Sequence, residues 1–99
     1  MMTVQKTLTD TVLNLQIKGR IDTTTAPQLE TEIKDNITGI TELKLDFAEV
    51  DYISSAGLRV ILSVQKIMNK QGKMTISHVS ANVMEVFEIT GFTDILTIE

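Results

Sequence analysis

Three sets of side chains in this sequence could do chemistry. The first is the pair Ser54 and Ser55 in DYISSAGLRVIL, residues 51–62, where two hydroxyls precede an apolar run. A serine there can cap a helix by accepting from an N–H two or three residues on, or it can be modified. The second is the acidic set Asp46, Glu49 and Asp51 in DFAEVDY, after a run that reads as a strand. Such hard oxygen ligands could hold Mg²⁺ and support a small metal-dependent enzyme; the plainer use is a solvated loop. The third is His78, the sole histidine. Without a cysteine or a second histidine it is a poor metal ligand, and no GxSxG elbow links it to either serine. There is no GxGxxG and no P-loop. No metal site and no cofactor is expected.

Two features near the serines ask for more than a cap. Gly57 falls in the first helical turn, where glycine costs about 1 kcal/mol relative to alanine. It implies a close approach to the backbone or unusual angles. Stepping about 100° per residue from Val60 gathers Gly57, Val60, Ile61, Val64, Ile67 and Met68 on one core-facing sector. Leu58 and Leu62 fall outside it among Arg59, Gln65, Lys66 and Asn69, and Ser55 projects to that same outer side. The expectation is a serine hydroxyl beside a small exposed leucine surface suited to binding.

The rest of the chain must position this segment. TVLNLQIKG alternates apolar and polar residues and predicts a strand; TVQKTL, from Val4 to Leu8, predicts a weaker one, with a hairpin between. Thr25 and Gln28 fit a capping box with Pro27 in the first turn. Leu29, Ile33 and Ile37 then form a helical stripe expected to end at Gly39. Leu43, Leu45 and Phe47 predict a strand, and SSAGLRVILSVQKIMNKQG a helix of about four turns stopped at Gly72. KMTISHV predicts a strand, SANVMEVFEITG a helix capped by Ser80, and DILTIE a closing strand. The order β-β-α-β-α-β-α-β implies an α/β fold with a mixed, mostly parallel sheet and helices packed on it.

At 99 residues the expectation is one domain spanning 1–99. A formal net charge of −4 argues against nucleic acid or an anionic membrane as partner. No apolar stretch approaches the roughly 20 residues of a membrane span, and the N-terminus lacks a secretory pattern. The absence of cysteine fits a reducing cytoplasm.

DYISSAGLRVIL resembles the signature of STAS domains (sulfate transporter and anti-sigma factor antagonist), in which a strand runs through Ser, a small residue and Gly-Leu into a helix. GRIDTTTAPQL resembles their loop into the first helix, and VFEITGFTDIL their closing helix. The resemblance implies a regulatory binding module rather than an enzyme. It implies an antagonist that binds an anti-sigma factor, itself a serine kinase, and so frees a sigma factor. Phosphorylation would switch it off and a PP2C-type phosphatase would reset it. By position the acceptor is Ser55, with Asp22 in the nearby loop, Gly57 in the turn and Leu58 at the interface; Ser54, Arg59 and Leu62 complete the implied binding surface. Ser54 stands where many relatives carry Asp, which makes it a rival acceptor; Ala56 stands where Ser or Thr is usual, and Arg59 where Gly is frequent. The other role the family offers a soluble chain is as a subunit binding an ABC-transporter ATPase in lipid trafficking.

Overall fold

Strand β1 (Thr3–Thr9) folds back on β2 (Val12–Ile21) as an antiparallel hairpin, with Thr9 opposite Val12 and Asp10 in the turn at φ 56°. Aspartate tolerates this left-handed conformation better than most residues. A computed structural model describes residues 2–99. From β2 the chain runs through helix α1 (Ala26–Lys34) to β3 (Glu42–Ile53), helix α2 (Ser55–Gln71), β4 (Lys73–Ser77), helix α3 (Ala81–Ile89) and a 3-10 turn at Phe92–Asp94. The sheet order is β1-β2-β3-β4, with β2, β3 and β4 mutually parallel. The mixed, mostly parallel α/β architecture is the one the element order implies.

Alternation decides which face is covered. Leu13, Leu15 and Ile17 of β2 and Leu43, Leu45 and Phe47 of β3 are buried, while Asn14 and Lys44 between them are exposed. The helices lie on the buried side: Phe47 meets Phe87 of α3 with ring centroids 6.4 Å apart. Ile33 of α1 and Ile61, Val64 and Met68 of α2 close the same core.

Four details differ from the sequence reading. First, β3 does not stop near Phe47. Two register shifts against β2 let it continue to Ile53, so the DFAEVDY segment is strand rather than loop. Asp46 stabilises the first irregularity by accepting the Ala48 N–H at 2.9 Å. Second, α1 ends at Lys34 and not at Gly39. The Asn36 side chain donates to the Glu32 carbonyl at 2.7 Å, and Ile37 is buried from the following turn. Gln71 Nε2 fastens that turn by donating to the carbonyls of Ile37 and Ile40. Third, Thr25 makes no capping bond through its side chain; Asp22 caps this turn instead. Fourth, the closing strand is reduced to a single parallel bridge between Ile76 and Ile98.

Candidate functional site

Parallel pairing brings Ile21 beside Ile53, so the residues that follow each strand emerge together. The Ser54 N–H donates to the Ile21 carbonyl at 2.8 Å and ties the start of α2 to the end of β2. Arg20 and Tyr52, also paired in register, stack with the guanidinium 4.2 Å from the ring centroid. The Asp22 loop and the SSAG turn therefore share one end of the sheet, the carboxyl ends of its parallel strands.

The two serines have separate jobs. Ser54 is the N-cap: its backbone is extended, and its Oγ accepts from the Gly57 N–H at 3.2 Å. Ser55 is the first helical residue and is exposed, and among the described residues its hydroxyl makes no hydrogen bond. The first bond along the helix axis runs from the Leu58 N–H to the Ser54 carbonyl at 2.9 Å. The N–H groups of Ser55 and Ala56 are thus left open beside the Ser55 side chain. We expect Ser54→Ala to lower stability by about 1 kcal/mol, read as a shift in the urea midpoint, with Ser55→Ala near neutral.

Gly57 is buried, and the reason is a close approach. A Cβ there would stand 2.6 Å from Ile21 Cγ2 and 2.8 Å from Ile53 Cγ1. It supports the site from beneath, and its burial takes it off the exposed surface around the serines. The expected exposed leucine surface is also corrected. Leu58 is only 8% exposed and belongs to the core, and Leu62 is half-buried. Gln65, placed outside by its position on the helix, is 5% exposed, whereas Ile67, assigned to the core, is only half-buried. Helix α2 contacts α1, β3 and β4, so its buried arc is wider than one sector. What remains accessible around Ser55 is Arg59, Tyr52 and part of Ala56.

Asp22 is occupied within its own loop. Its Oδ1 accepts from the Thr24 hydroxyl at 2.7 Å and from the N–H groups of Thr24 and Thr25 at 3.0 Å each. Thr25 Oγ1 in turn accepts the Asp22 N–H and donates to the Arg20 carbonyl, both at 2.8 Å. The Thr24 hydroxyl and then the Thr25 N–H hold the Asp22 carboxyl below its ordinary value of 3.8.

The acids of β3 do not gather. Asp46 accepts from Ala48 and lies 3.1 Å from His78 Nδ1, Glu49 pairs with Lys18 at 3.3 Å, and Asp51 is exposed. Among the described residues no three His, Asp or Glu side chains are placed to hold a metal ion. The metal-enzyme alternative built on Asp46, Glu49 and Asp51 therefore has no geometric basis. The Ala48 N–H, and more weakly His78, hold the Asp46 carboxyl below its ordinary value.

Both depressed carboxyls make folding pH-dependent. Their stabilisation is complete above the ordinary carboxylate value and is lost as pH falls through the lower folded-state value. We expect the urea midpoint to fall between pH 5 and pH 2. Asp22→Asn should flatten part of that fall by lowering the midpoint at pH 7 toward its acid value, because the amide lacks the charge that these donors favour.

The STAS domain family model matches residues 3–99. The chain belongs to the STAS family. BtrV of Bordetella bronchiseptica is 38% identical over 91 residues, covering 90% of this chain and 78% of BtrV. The anti-sigma-B factor antagonist of Bacillus subtilis is 30% identical over 87 residues, covering 87% of this chain and 80% of that one. The fold is similar to the crystal structure of an anti-sigma factor antagonist from Mycobacterium paratuberculosis, with a TM-score of 0.89 at 21% identity, covering 99% of this chain and 85% of that one. No helix of this STAS chain is long and apolar enough to cross a membrane. In this STAS domain the SSAG turn of the sequence motif is a junction bonded to β2, and among the described residues it presents one hydroxyl without a hydrogen bond.

Proposed function

We propose that this STAS chain is an anti-sigma factor antagonist in a partner-switching system, a cytoplasmic binding protein and not an enzyme. Unphosphorylated, it binds an anti-sigma factor that is also a serine kinase, and the sigma factor is released. Phosphorylation of Ser55 switches binding off, and a PP2C-type phosphatase restores it. The observation that carries this reading is the division of labour at the start of α2. Ser54 is committed to the cap, and Ser55 stands beside it exposed, with an unbonded hydroxyl. The kinship with the anti-sigma-B factor antagonist of B. subtilis supports the same partner class.

The geometry suits a reversible modification. A phosphoserine carries about −1.5 to −2 charges at neutral pH. At the first helical position that charge meets open N–H groups and the positive end of the helix dipole. The fold then tolerates the phosphate, and the effect falls on the partner. Asp22 acts through the shape of the neighbouring loop, since its carboxylate is used internally.

The test is incubation with Mg²⁺, ATP and the serine kinase encoded nearest to this chain, followed by intact-mass measurement. One added phosphate is expected, lost in Ser55→Ala and retained in Ser54→Ala. Absence of a phosphate, or its presence on Ser54, overturns the assignment.

A further inference from the structure

A groove of about 640 Å³ runs between α1 and α2, and the antagonist reading does not use most of it. Ala56, Val60, Leu62 and Ile67 give it an apolar lining on the α2 side. Arg59, Lys66 and Lys70 of α2 line it as well, and all three are exposed. Positions 59, 66 and 70 are spaced by seven and four residues, which places them along one stripe of the helix.

These cations differ from the other basic residues of the chain. Lys6, Lys18, Lys34, Lys44 and Lys73 each lie within 4 Å of a glutamate carboxylate, and Arg20 stacks on Tyr52. Among the described residues, Arg59, Lys66 and Lys70 have no such carboxylate. The one acid in the groove, Glu30, is bonded to Lys34 at 2.8 Å. A chain of net charge −4 thus keeps its uncompensated positive charge on the border of one apolar groove.

We propose that this groove docks an acidic amphipathic helix of a partner protein. From residue 59 to residue 70 the helix rises about 16 Å, too far for three cations to converge on one phosphate or nucleotide. The same spread suits carboxylates repeated along a helix whose apolar face enters the groove. The lining from Ala56 to Lys70 spans about 21 Å, room for roughly four turns of a docked helix. The groove also begins beside Ser55, since Ala56 and Arg59 belong to its lining. A phosphate on Ser55 would face the same occupant and weaken an acidic one most at that end. The docking itself does not rest on Ser55 being modified.

The full chain, ¹⁵N-labelled, is titrated with a designed 14-residue helical peptide carrying leucines at i, i+3, i+4 and i+7 and flanking glutamates. The same peptide with lysine for each glutamate is the counter-probe, and GTP is a third. Amide shifts are expected on the α1 and α2 residues lining the groove, from the glutamate peptide alone, with affinity falling as salt rises. The double variant Lys66→Glu, Lys70→Glu should weaken binding at least tenfold, Glu30→Gln should tighten it, and Lys44→Glu on the open sheet face should leave it unchanged. Thermal melting of each variant confirms that the fold is kept. Equal binding of the lysine peptide, equal shifts from GTP, unchanged affinity in the double variant, or shifts centred on the exposed Ile89 and Ile95 would each overturn the proposal. Phosphate incorporation at Ser55 is scored separately by mass, so failure of the groove and failure of the antagonist reading are distinguishable.

Discussion

Ser55→Asp should leave the far-UV circular dichroism of the chain unchanged and weaken binding to the proposed partner, an anti-sigma factor kinase, on the order of a hundredfold. The two halves of this expectation come from the same geometry. An acid at the first helical position meets the open N–H groups of Ser55 and Ala56, and no other acid lies in the first turn to repel it. Its charge therefore favours the helix by a few tenths of a kcal/mol. Across an interface the sign reverses. A new negative charge set against partner acids costs several kcal/mol, and about 2.7 kcal/mol corresponds to the hundredfold loss. Isothermal titration against the kinase reads the affinity, and circular dichroism reads the fold. A collapsed spectrum would place the effect on folding, and unchanged affinity would remove the switch from Ser55. Ser54→Asp separates the positions: aspartate is also a good N-cap, so it should keep the fold and weaken the partner less.

How much of this was legible in the sequence depended on whether one local rule governed each stretch. The alternation of Leu13, Leu15 and Ile17 is a single period-2 run, and β2 follows from it directly. In β3 the buried positions are 43, 45, 47, then 50, then 53. Each step of three marks a residue inserted against β2, and to a period-2 reading it looks like a strand end. Helix α2 failed in the opposite sense. Its extent was plain, but a wheel assumes one buried sector, and this helix lies over two strands while flanked by α1. Leu58 and Gln65 are consequently buried, and Ile67 is left at the groove. The capping box at Thr25 is displaced by a competing carboxylate: Asp22 takes the Thr25 N–H that Gln28 would have accepted, a stronger acceptor, and Thr25 Oγ1 is turned to the Arg20 carbonyl. A signal was present in the Asp three residues before Thr25. Which serine caps could not be settled from SSAG alone, because either can occupy the N-cap. It is decided by the Ser54 N–H bond to Ile21, a contact between residues 33 positions apart. The groove cations were visible as single residues; that they share an unpaired border needed the ion pairs of the other lysines.

Gly57→Ala should cost about 1–3 kcal/mol, the usual range for overpacking a close contact, or roughly 4–8 °C in melting temperature per kcal/mol for a domain of this size. The added methyl would lie 2.6 Å from Ile21 Cγ2, 2.8 Å from Ile53 Cγ1 and 3.3 Å from the Ile21 carbonyl oxygen. None of these atoms is the free end of a long side chain. Ile21 and Ile53 are β-branched, buried and stiff at χ1, so relief must come from the helix moving away from the sheet. That motion strains the two bonds that set the site, Ser54 N–H to Ile21 and Gly57 N–H to Ser54 Oγ. The variant should therefore lose partner affinity beyond what its unfolded fraction explains. Urea unfolding with kinase titration at saturating folded protein separates the two effects. A second change tests the cause: Ile21→Leu removes the Cγ2 branch that crowds position 57 and should recover part of the loss in the Gly57→Ala background, although alone it costs up to about 1.5 kcal/mol. Such non-additivity is expected only for residues in contact. Additive losses would place the conflict on Ile53 Cγ1 and the Ile21 carbonyl and not on the Ile21 side chain.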